Sequence, residues 1–248
     1  DINIIEGNYY IQPDLPHVLG REGVGIISEI GANISNIQLG DYVISPFSEG
    51  REWHGFWCEN FVVDAKDVIV LPKSIDLEQA SMLNTNPLTA YQLIQGVVGL
   101  EKGDWVVQNA ANSSVGRLVV KISRKLGFRT LNFVRRGEVV QEMLDSGADE
   151  VFVLEEGISK SKQIGRILKG APVKLGLNAV GGTYASEVAK CLGSDGVLVT
   201  YGAMAKDETI EVNHKNIVFT AEPETKLRNQ YESITGQVIT PPQPSIIT

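Results

Sequence analysis

The sequence predicts an α/β protein in which a Rossmann-type, doubly wound parallel sheet follows an antiparallel, barrel-like domain. Two observations predict this architecture. Short β-type runs broken by Gly, Pro and Asp occupy residues 1–84, whereas strands alternate with helices from residue 85 to residue 219. A chain of 248 residues is long enough for both domains to bury a core.

The first domain, residues 1–84, is predicted from four apolar runs whose lengths are typical of short antiparallel strands. These runs are GVGIISEIG, DYVISPF, FWCENFVV and VIVLP. The stretch SMLNTNPLTAYQLIQGV then predicts the helix that leads into the second domain.

The second domain, residues 85–219, contains five predicted strands separated by helices: WVVQNA, TLNFV, EVFVL, LGLNAV and VLVTYG. The remaining residues, 220–248, mix charge with proline and predict no further strand–helix unit. We expect this C-terminal segment either to return to the first domain or to be disordered.

The most informative stretch is residues 104–127, which predicts a buried strand, a tight turn of small residues and a helix. Such a unit points backbone N–H groups and a helix N-terminus at a pyrophosphate. The turn is an incomplete GxGxxG motif, because Ala and Ser replace its first two glycines and only Gly116 remains. Side chains of Asn112, Ser113 and Ser114 add hydrogen-bonding groups. A tight turn that binds no ligand is the alternative interpretation.

Two arginines, Arg135 and Arg136, end the second predicted strand of this domain, about twenty residues after Gly116. A protein that binds NAD places a carboxylate there, whereas arginine favours a ribose with a 2′-phosphate. The sequence therefore predicts NADPH, with a solvated surface pair as the alternative. The turn Tyr201-Gly202-Ala203-Met204 follows the fifth strand at the same edge of the sheet, where it either faces the nicotinamide or simply ends the strand.

Composition excludes several classes of partner. The net charge of −8 disfavours nucleic acid and anionic membranes, and no apolar run is long enough to insert into a bilayer. Two cysteines, Cys58 and Cys191, lack metal-ligand spacing and are predicted to be free thiols. The chain starts at Asp1 without a signal-peptide pattern, so a removed targeting segment or a truncation stays open.

The order of the two domains resembles the medium-chain dehydrogenase/reductase superfamily, in which a GroES-like barrel precedes a Rossmann domain. Residues 19–25, LGREGVG, match its GHExxG motif, but Arg21 stands where zinc alcohol dehydrogenases have a zinc-binding histidine. Catalytic zinc in that family also needs cysteine, and structural zinc needs four cysteines. Two cysteines satisfy neither site, so we expect the zinc-free branch and no metal.

The closer resemblance is to mitochondrial-type trans-2-enoyl thioester reductases. Seven segments carry it: INIIEGNYYIQPDLP, GREGVG, LNTNPLTAY, VVQNAANSSVG, NFVRR, LNAVGG and VTYGAMAK. By position, the resemblance implies a catalytic tyrosine (Tyr9), a residue near the nicotinamide (Asn86), a pyrophosphate turn (Asn112, Ser113, Ser114, Val115), a 2′-phosphate loop (Arg135, Arg136) and a nicotinamide-side turn (Tyr201, Gly202, Ala203, Met204). Gly137 falls where the family often has a second arginine, and Arg136 is expected to substitute for it.

The resemblance implies NADPH-dependent reduction of the 2,3 double bond of enoyl-CoA or enoyl-acyl carrier protein in fatty-acid synthesis. Negative charge develops on the thioester oxygen, where the Tyr9 hydroxyl would donate a hydrogen bond and help protonate the α-carbon. Tyr10 or a packing role for either tyrosine is the alternative. Two rival functions remain open: a quinone or alkenal/enone reductase of the same superfamily, and a non-catalytic NADPH-binding relative.

The family resemblance also implies a homodimer, located in the cytoplasm of a bacterium or in the mitochondrial matrix of a eukaryote.

The sequence departs from the family at two places. Family members begin some tens of residues before the segment that matches Asp1, and they carry a further block after the position of Phe219. Either the sequence joins ordered pieces of a longer chain, or it belongs to a truncated relative that lacks activity.

Overall fold

The computed structural model describes residues 1–7, 12–45, 55–155, 160–202 and, by backbone alone, 217–219. These residues form two compact units. The first comprises Asp1–Gly103, Ala111–Phe128 and Gln141–Ala148; the second comprises the described residues of Asp104–Ala110, Arg129–Val140 and Asp149–Thr248.

The first unit combines a small antiparallel sheet with helices. Its elements are helix α1 (Ile2–Ile5), strands β1 (Gly25–Ile26), β2 (Tyr42–Ile44) and β3 (Ile69–Leu71), and helices α2 (Leu77–Ala80), α3 (Asn86–Gln95), α4 (Ser114–Leu126) and, from its second residue, α5 (Val140–Asp145). The strands pair antiparallel in the order β1-β2-β3, and α3 packs against α4. A single 3₁₀ turn, Ala65–Asp67, precedes β3.

The predicted strand FWCENFVV is wrong over its described residues, which form no strand from residue 56 to residue 63. The backbone N–H groups of Phe56 and Trp57 instead bond the carbonyls of Gly20 (3.0 Å) and Leu19 (2.8 Å). Gly55 permits this close approach, since a Cβ there would lie 2.0 Å from the Leu19 oxygen. The segment is therefore held by two backbone hydrogen bonds to residues 19 and 20, and not by pairing with a neighbouring strand.

The second unit is built on a six-stranded parallel sheet. Its strands are β4 (Trp105–Gln108), β5 (Arg129–Val134), β6 (Glu150–Val153), β7 (Val173–Asn178), β8 (Val197–Thr200) and β9 (Ile217–Phe219), and its helices are α6 (Ser161–Leu168) and α7 (Thr183–Ala189). All five predicted strands are confirmed, and with them the α/β fold class. The sixth, β9, was not predicted because three residues give too short a pattern.

The strand order β6-β5-β4-β7-β8-β9 is that of a doubly wound nucleotide-binding sheet. Chain order runs outward from β4 through β5 to β6, and then restarts at β7 on the other side of β4. The topological switch point therefore lies between β4 and β7. In such sheets the ligand crevice lies at the carboxyl ends of the strands on either side of this point.

The two faces of the sheet differ in composition: one is apolar, and the other contains buried polar side chains. Trp105, Val107, Leu131 and Phe133 form one face and pack with residues of α6 and α7 into a hydrophobic core. The alternate positions of β4 and β5 point to the other face, where Gln108, Thr130 and Asn132 are also buried. A chain of hydrogen bonds joins them: Gln108 Nε2 donates to Asn132 Oδ1 (2.7 Å), and Asn132 Nδ2 donates to Thr130 Oγ1 (3.0 Å).

Among the described helices, none has the length and apolar character needed to cross a bilayer.

Candidate cofactor-binding site

The turn between β4 and α4 is strained at its start and capped at its end. Ala110 has a φ of +47°, the left-handed region that glycine adopts freely and that costs alanine roughly 1 kcal/mol. Ser113 is the N-cap of α4, and its hydroxyl oxygen accepts a hydrogen bond from the Gly116 N–H at 3.1 Å. The first N–H groups of α4, those of Ser114 and Val115, have no carbonyl of the helix to bond. They are the groups with which a helix N-terminus binds an anion.

Gly116 is the one position of the turn at which only glycine fits. A Cβ there would lie 2.5 Å from the carbonyl oxygen of Ala111, so a side chain would push the helix away from the turn. This is the close approach for which the last glycine of a dinucleotide fingerprint is used. The helix ends at Gly127, whose φ of +85° gives a left-handed C-cap.

Arg117 contributes to the turn, although the sequence analysis did not identify it. Its Nε donates a hydrogen bond to the backbone oxygen of Asn112 at 3.0 Å, and its Nη1 forms an ion pair with Glu142 of α5. The hydrogen bond from Arg117 lowers the pKa of the Glu142 carboxyl, which stays ionised. A charged residue in the first turn of a helix was the only available sequence signal, and it does not specify a partner.

Arg135 and Arg136 follow β5 directly and are both exposed. Arg136 forms an ion pair with Glu138 at 3.2 Å, at the start of the 3₁₀ turn Gly137–Val139. Arg135 has no ion-pair partner among the residues that the structure describes. Of the two arginines, Arg135 is thus the one whose charge is not already compensated.

The end of β8 places Tyr201 and Gly202 beside the end of β7. The Tyr201 N–H donates to the carbonyl oxygen of Asn178 at 3.0 Å, and a Cβ on Gly202 would lie 2.5 Å from the Ala179 oxygen. The Tyr201 hydroxyl is buried without a hydrogen-bond partner in the described part of the chain. Burial raises its pKa to about 12, so the group remains a neutral donor at physiological pH.

Buried asparagines hold these strand ends together, and the sequence analysis missed them. Asn109 follows β4 and Asn178 ends β7, and their side chains are hydrogen-bonded to each other at 2.6 Å. Polar residues at the ends of otherwise apolar strands were the available signal. Their pairing depends on the β4–β7 neighbour relationship, which a local pattern does not contain.

Asn86 begins α3 in the first unit and is half-buried. The adjoining Thr85 N–H donates to the Glu22 carboxylate at 3.0 Å, which ties the start of the helix to the GREGVG segment. Pro87 occupies the first turn, where its missing N–H is tolerated, and this explains why the helix starts here rather than at Ser81.

The structure thus brings the predicted residues into two groups. Arg135, Arg136, Tyr201 and Gly202 lie at the carboxyl edge of one sheet in the second unit, whereas Asn86, Asn112, Ser113, Ser114 and Val115 lie in the first unit. Tyr9, Ala203 and Met204 fall outside the described residues.

Comparison with known proteins relates the start of the chain to a known domain. Residues 1–73 match the alcohol dehydrogenase GroES-like domain. This domain precedes the parallel sheet with its doubly wound strand order. Over these residues the chain is similar to the medium-chain dehydrogenase/reductase superfamily. The GroES-like character expected of the first domain is thereby confirmed.

The expected resemblance to mitochondrial enoyl thioester reductases is also confirmed. The chain is 40% identical to a mitochondrial enoyl-[acyl-carrier-protein] reductase of Caenorhabditis elegans over 83% of its length and 58% of that protein. It is 38% identical to the human protein of the same name over 85% of its length and 56% of that protein. The chain therefore spans somewhat more than half the length of these relatives.

Solved structures of several reductases share the fold. The mitochondrial 2-enoyl thioester reductase heterodimer Etr1p/Etr2p of Candida tropicalis matches with a TM-score of 0.78 and 26% identity, over 95% of this chain and 73% of that one. A complex of Etr1p with NADP and crotonyl-CoA matches with a TM-score of 0.74 and 27% identity, over 88% and 65%. A Bacillus thuringiensis protein assigned as an NADPH:quinone reductase matches with a TM-score of 0.75 and 27% identity, over 92% and 67%.

Proposed function

We propose that this protein is an NADPH-dependent trans-2-enoyl thioester reductase. The observation that carries the proposal is the βα unit at the switch point of the sheet, with Arg135 at the end of the next strand, in a chain 40% identical to an enoyl-[acyl-carrier-protein] reductase. The substrate is an enoyl-CoA or an enoyl-acyl carrier protein, and the role is fatty-acid synthesis. Complexes of Etr1p with NADP and crotonyl-CoA support both the cofactor and the substrate class.

The residues present fit NADPH. Gly116 lets the start of α4 lie close against the turn, since a Cβ there would come within 2.5 Å of the Ala111 oxygen. The N–H groups of Ser114 and Val115, with the side chain of Asn112, would hold the pyrophosphate. Arg135 would bind the 2′-phosphate, because its guanidinium has no ion-pair partner among the described residues. Arg136, already paired with Glu138, would contribute less.

The same assignment extends to the nicotinamide half of the site. We assign contact with the nicotinamide to Tyr201, Gly202, Ala203 and Met204, which follow β8 in the chain, and to Asn86, the first residue of α3. The buried, unpartnered hydroxyl of Tyr201 supports this role, since a bound ligand would supply its missing hydrogen bond.

Catalysis divides between the cofactor and the chain. NADPH, when bound, supplies the hydride that adds to the β-carbon of the enoyl thioester. The Tyr9 hydroxyl would donate a hydrogen bond to the thioester oxygen, where negative charge develops, and would assist proton delivery to the α-carbon. One such donor in a dry site contributes roughly two orders of magnitude in rate.

The location and assembly that we propose follow the relatives. The curated relatives are mitochondrial enzymes, which supports the mitochondrial matrix. The Etr1p/Etr2p heterodimer supports assembly of two chains, and we propose a homodimer for this protein.

Turnover of crotonyl-CoA with NADPH, compared with NADH, tests the proposal. We expect NADPH to be strongly preferred, and Tyr9→Phe to lower kcat by roughly two orders of magnitude while leaving the affinity for NADPH unchanged. A preference for NADH, or full activity of the Tyr9→Phe variant, would contradict it.

Substituting Arg135 and Arg136 one at a time tests which arginine determines cofactor selectivity. Arg135→Ala should remove most of the preference for NADPH over NADH, because it deletes the arginine that has no ion-pair partner in the described ranges. Arg136→Ala should reduce the preference less, since its guanidinium is shared with Glu138. Equal selectivity in the wild type and both variants would refute a 2′-phosphate site at this strand end.

A quinone reductase is the second candidate, supported by the likeness to the Bacillus thuringiensis protein. That activity needs NADPH and a hydride acceptor but no dedicated tyrosine. Rapid NADPH oxidation by a benzoquinone that is insensitive to Tyr9→Phe, with no turnover of crotonyl-CoA, would favour it. Binding of NADPH without turnover of either acceptor would indicate a non-catalytic relative.

A further inference from the structure

We propose that Asn109 and Asn178 are positioning residues that set the nicotinamide half of the cofactor site. This inference rests on the proposed NADPH binding and does not depend on which acceptor is reduced. Both residues lie at the topological switch point, one after β4 and the other at the end of β7. Both are buried, with exposures of 1% and 0%.

Asn109 links the two central strands directly. Asn109 Nδ2 donates to Asn178 Oδ1 at 2.6 Å, and Asn109 Oδ1 accepts a hydrogen bond from the Ala179 N–H at 2.7 Å. The backbone adds a bond from the Asn109 N–H to the Leu177 oxygen at 3.1 Å. The carboxyl ends of β4 and β7 are therefore held at a fixed separation where the ligand crevice opens.

The same hydrogen-bond network extends to β8. Asn178 Nδ2 donates to Thr200 Oγ1 at 3.1 Å, and the Asn178 carbonyl oxygen accepts from the Tyr201 N–H at 3.0 Å. Asn178 Oδ1 also accepts from the N–H groups of Val180 and Gly181 at 3.2 and 3.1 Å. Asn178 thus fixes the turn after β7 through its side chain, and the end of β8 through its side chain and its backbone carbonyl.

The hydrogen-bonding inventory separates positioning from ligand contact. Both side chains are buried and hydrogen-bonded within the protein, and the Asn178 oxygen has three donors, so neither side chain is exposed to a ligand. These side chains therefore act on the cofactor through the turns they hold. If Asn178 lost its amide, the N–H groups of Val180 and Gly181 would lose their acceptor. The turn after β7 and the end of β8 would then be free to shift.

Hydride transfer depends steeply on the placement of the nicotinamide, whereas affinity for NADPH also depends on the pyrophosphate turn and on Arg135. A misplacement of about 1 Å costs on the order of a hundredfold in rate. We therefore expect loss of the asparagine network to lower kcat far more than it weakens the binding of NADPH.

The test compares Asn178→Leu with Asn132→Leu, which removes an equally buried amide from the middle of β5. Asn178→Leu should lower kcat at least about tenfold and raise the isotope effect with NADPH deuterated at the transferred position, while the Kd for NADPH changes less than about threefold. Asn132→Leu should reduce the thermal midpoint and leave the kcat of the folded protein and the isotope effect unchanged. Asn178→Asp keeps the acceptor and should restore part of kcat.

Two further measurements keep the inference falsifiable. Thr200→Val removes only the partner of Asn178 Nδ2 and serves if Asn178→Leu does not fold; it should produce the same changes to a smaller extent. The emission of bound NADPH reports the surroundings of its nicotinamide without any acceptor, and it should shift toward that of free NADPH in the Asn178 and Thr200 variants but not in Asn132→Leu.

The outcomes distinguish this inference from the proposed function. If the wild type binds NADPH but does not reduce an enoyl thioester, the proposed activity fails, and the emission measurement still decides the role of the asparagines. If Asn178→Leu and Thr200→Val match Asn132→Leu in emission, kcat and isotope effect, the asparagines are structural and the inference is overturned. Absence of NADPH binding by the wild type overturns both.

Discussion

Arg117 and Asn112 are joined by a 3.0 Å hydrogen bond from the Arg117 Nε to the Asn112 backbone oxygen, which fastens the candidate pyrophosphate turn to the first turn of α4. Glu142 of α5 holds the guanidinium from its other end. The turn is thus supported by an ion pair that lies outside the motif itself.

The first prediction concerns this support. Arg117→Ala should raise the Kd for NADPH about fivefold, because one hydrogen bond contributes about 1 kcal/mol net. Glu142→Ala keeps the bond to Asn112 and should raise the Kd less than twofold, as expected for an exposed pair. Titration of each variant with NADPH measures both values. An unchanged Kd in Arg117→Ala would show that the turn keeps its shape unaided.

The second prediction compares two helical glycines. Gly116→Ala places a Cβ 2.5 Å from the Ala111 oxygen and should lower the free energy of unfolding by about 1–3 kcal/mol, with a parallel loss of NADPH affinity. Gly165→Ala in α6 meets no atom within 4 Å and should raise the free energy of unfolding by up to about 1 kcal/mol. Urea unfolding measures the difference. Equal effects would contradict the packing argument.

The third prediction concerns the N-cap of α4. Ser113→Ala removes the acceptor of the Gly116 N–H and should lower the free energy of unfolding by about 1 kcal/mol. Ser114 is exposed, and Ser114→Ala should change that free energy by less than about 0.5 kcal/mol. Both are measured without cofactor, so that the cap is tested apart from any ligand contact. A larger loss in Ser114→Ala would reverse the assignment.

The fourth prediction distinguishes the two cysteines. Burial, with a smaller contribution from the Glu187 carboxylate, raises the pKa of the Cys191 thiol to about 12, whereas Cys58 is exposed. At pH 8 the Cys191 thiolate is scarce, since its pKa lies well above the solution pH, and the thiolate is the reactive form. A colorimetric disulfide reagent should modify one thiol rapidly in the native protein and both after unfolding. Cys58→Ser should abolish the rapid phase, and its persistence would contradict the prediction.

Local sequence patterns were sufficient to predict most of the secondary structure of the second unit. Its strands are continuous apolar runs bounded by helices, and such runs are recognisable because both faces of a parallel sheet are buried. The turn of small residues before α4 was likewise recognisable from Ser113 and Gly116, which act within a few residues of their own positions.

Local patterns did not predict the structure wherever a residue's hydrogen-bond or strand partner is distant in sequence. The run FWCENFVV has the composition of a strand, yet its described residues bond the backbone near Leu19 instead. Asn109 and Asn178 are paired although 69 residues separate them. The three-residue strand β9 becomes a strand by pairing with β8, and its own sequence is too short to predict one.

By itself, the sequence determined the α/β class, the strand–turn–helix unit and the basic end of β5, because apolar periodicity, capping and charge are properties of neighbouring residues. Tertiary structure alone decided that Glu142 of α5 pairs with Arg117 and that Asn109 and Asn178 join three strand ends. These features depend on which helices pack together and on which strands become neighbours in the sheet. Chain order does not specify those contacts; the packing of the folded sheet and helices does.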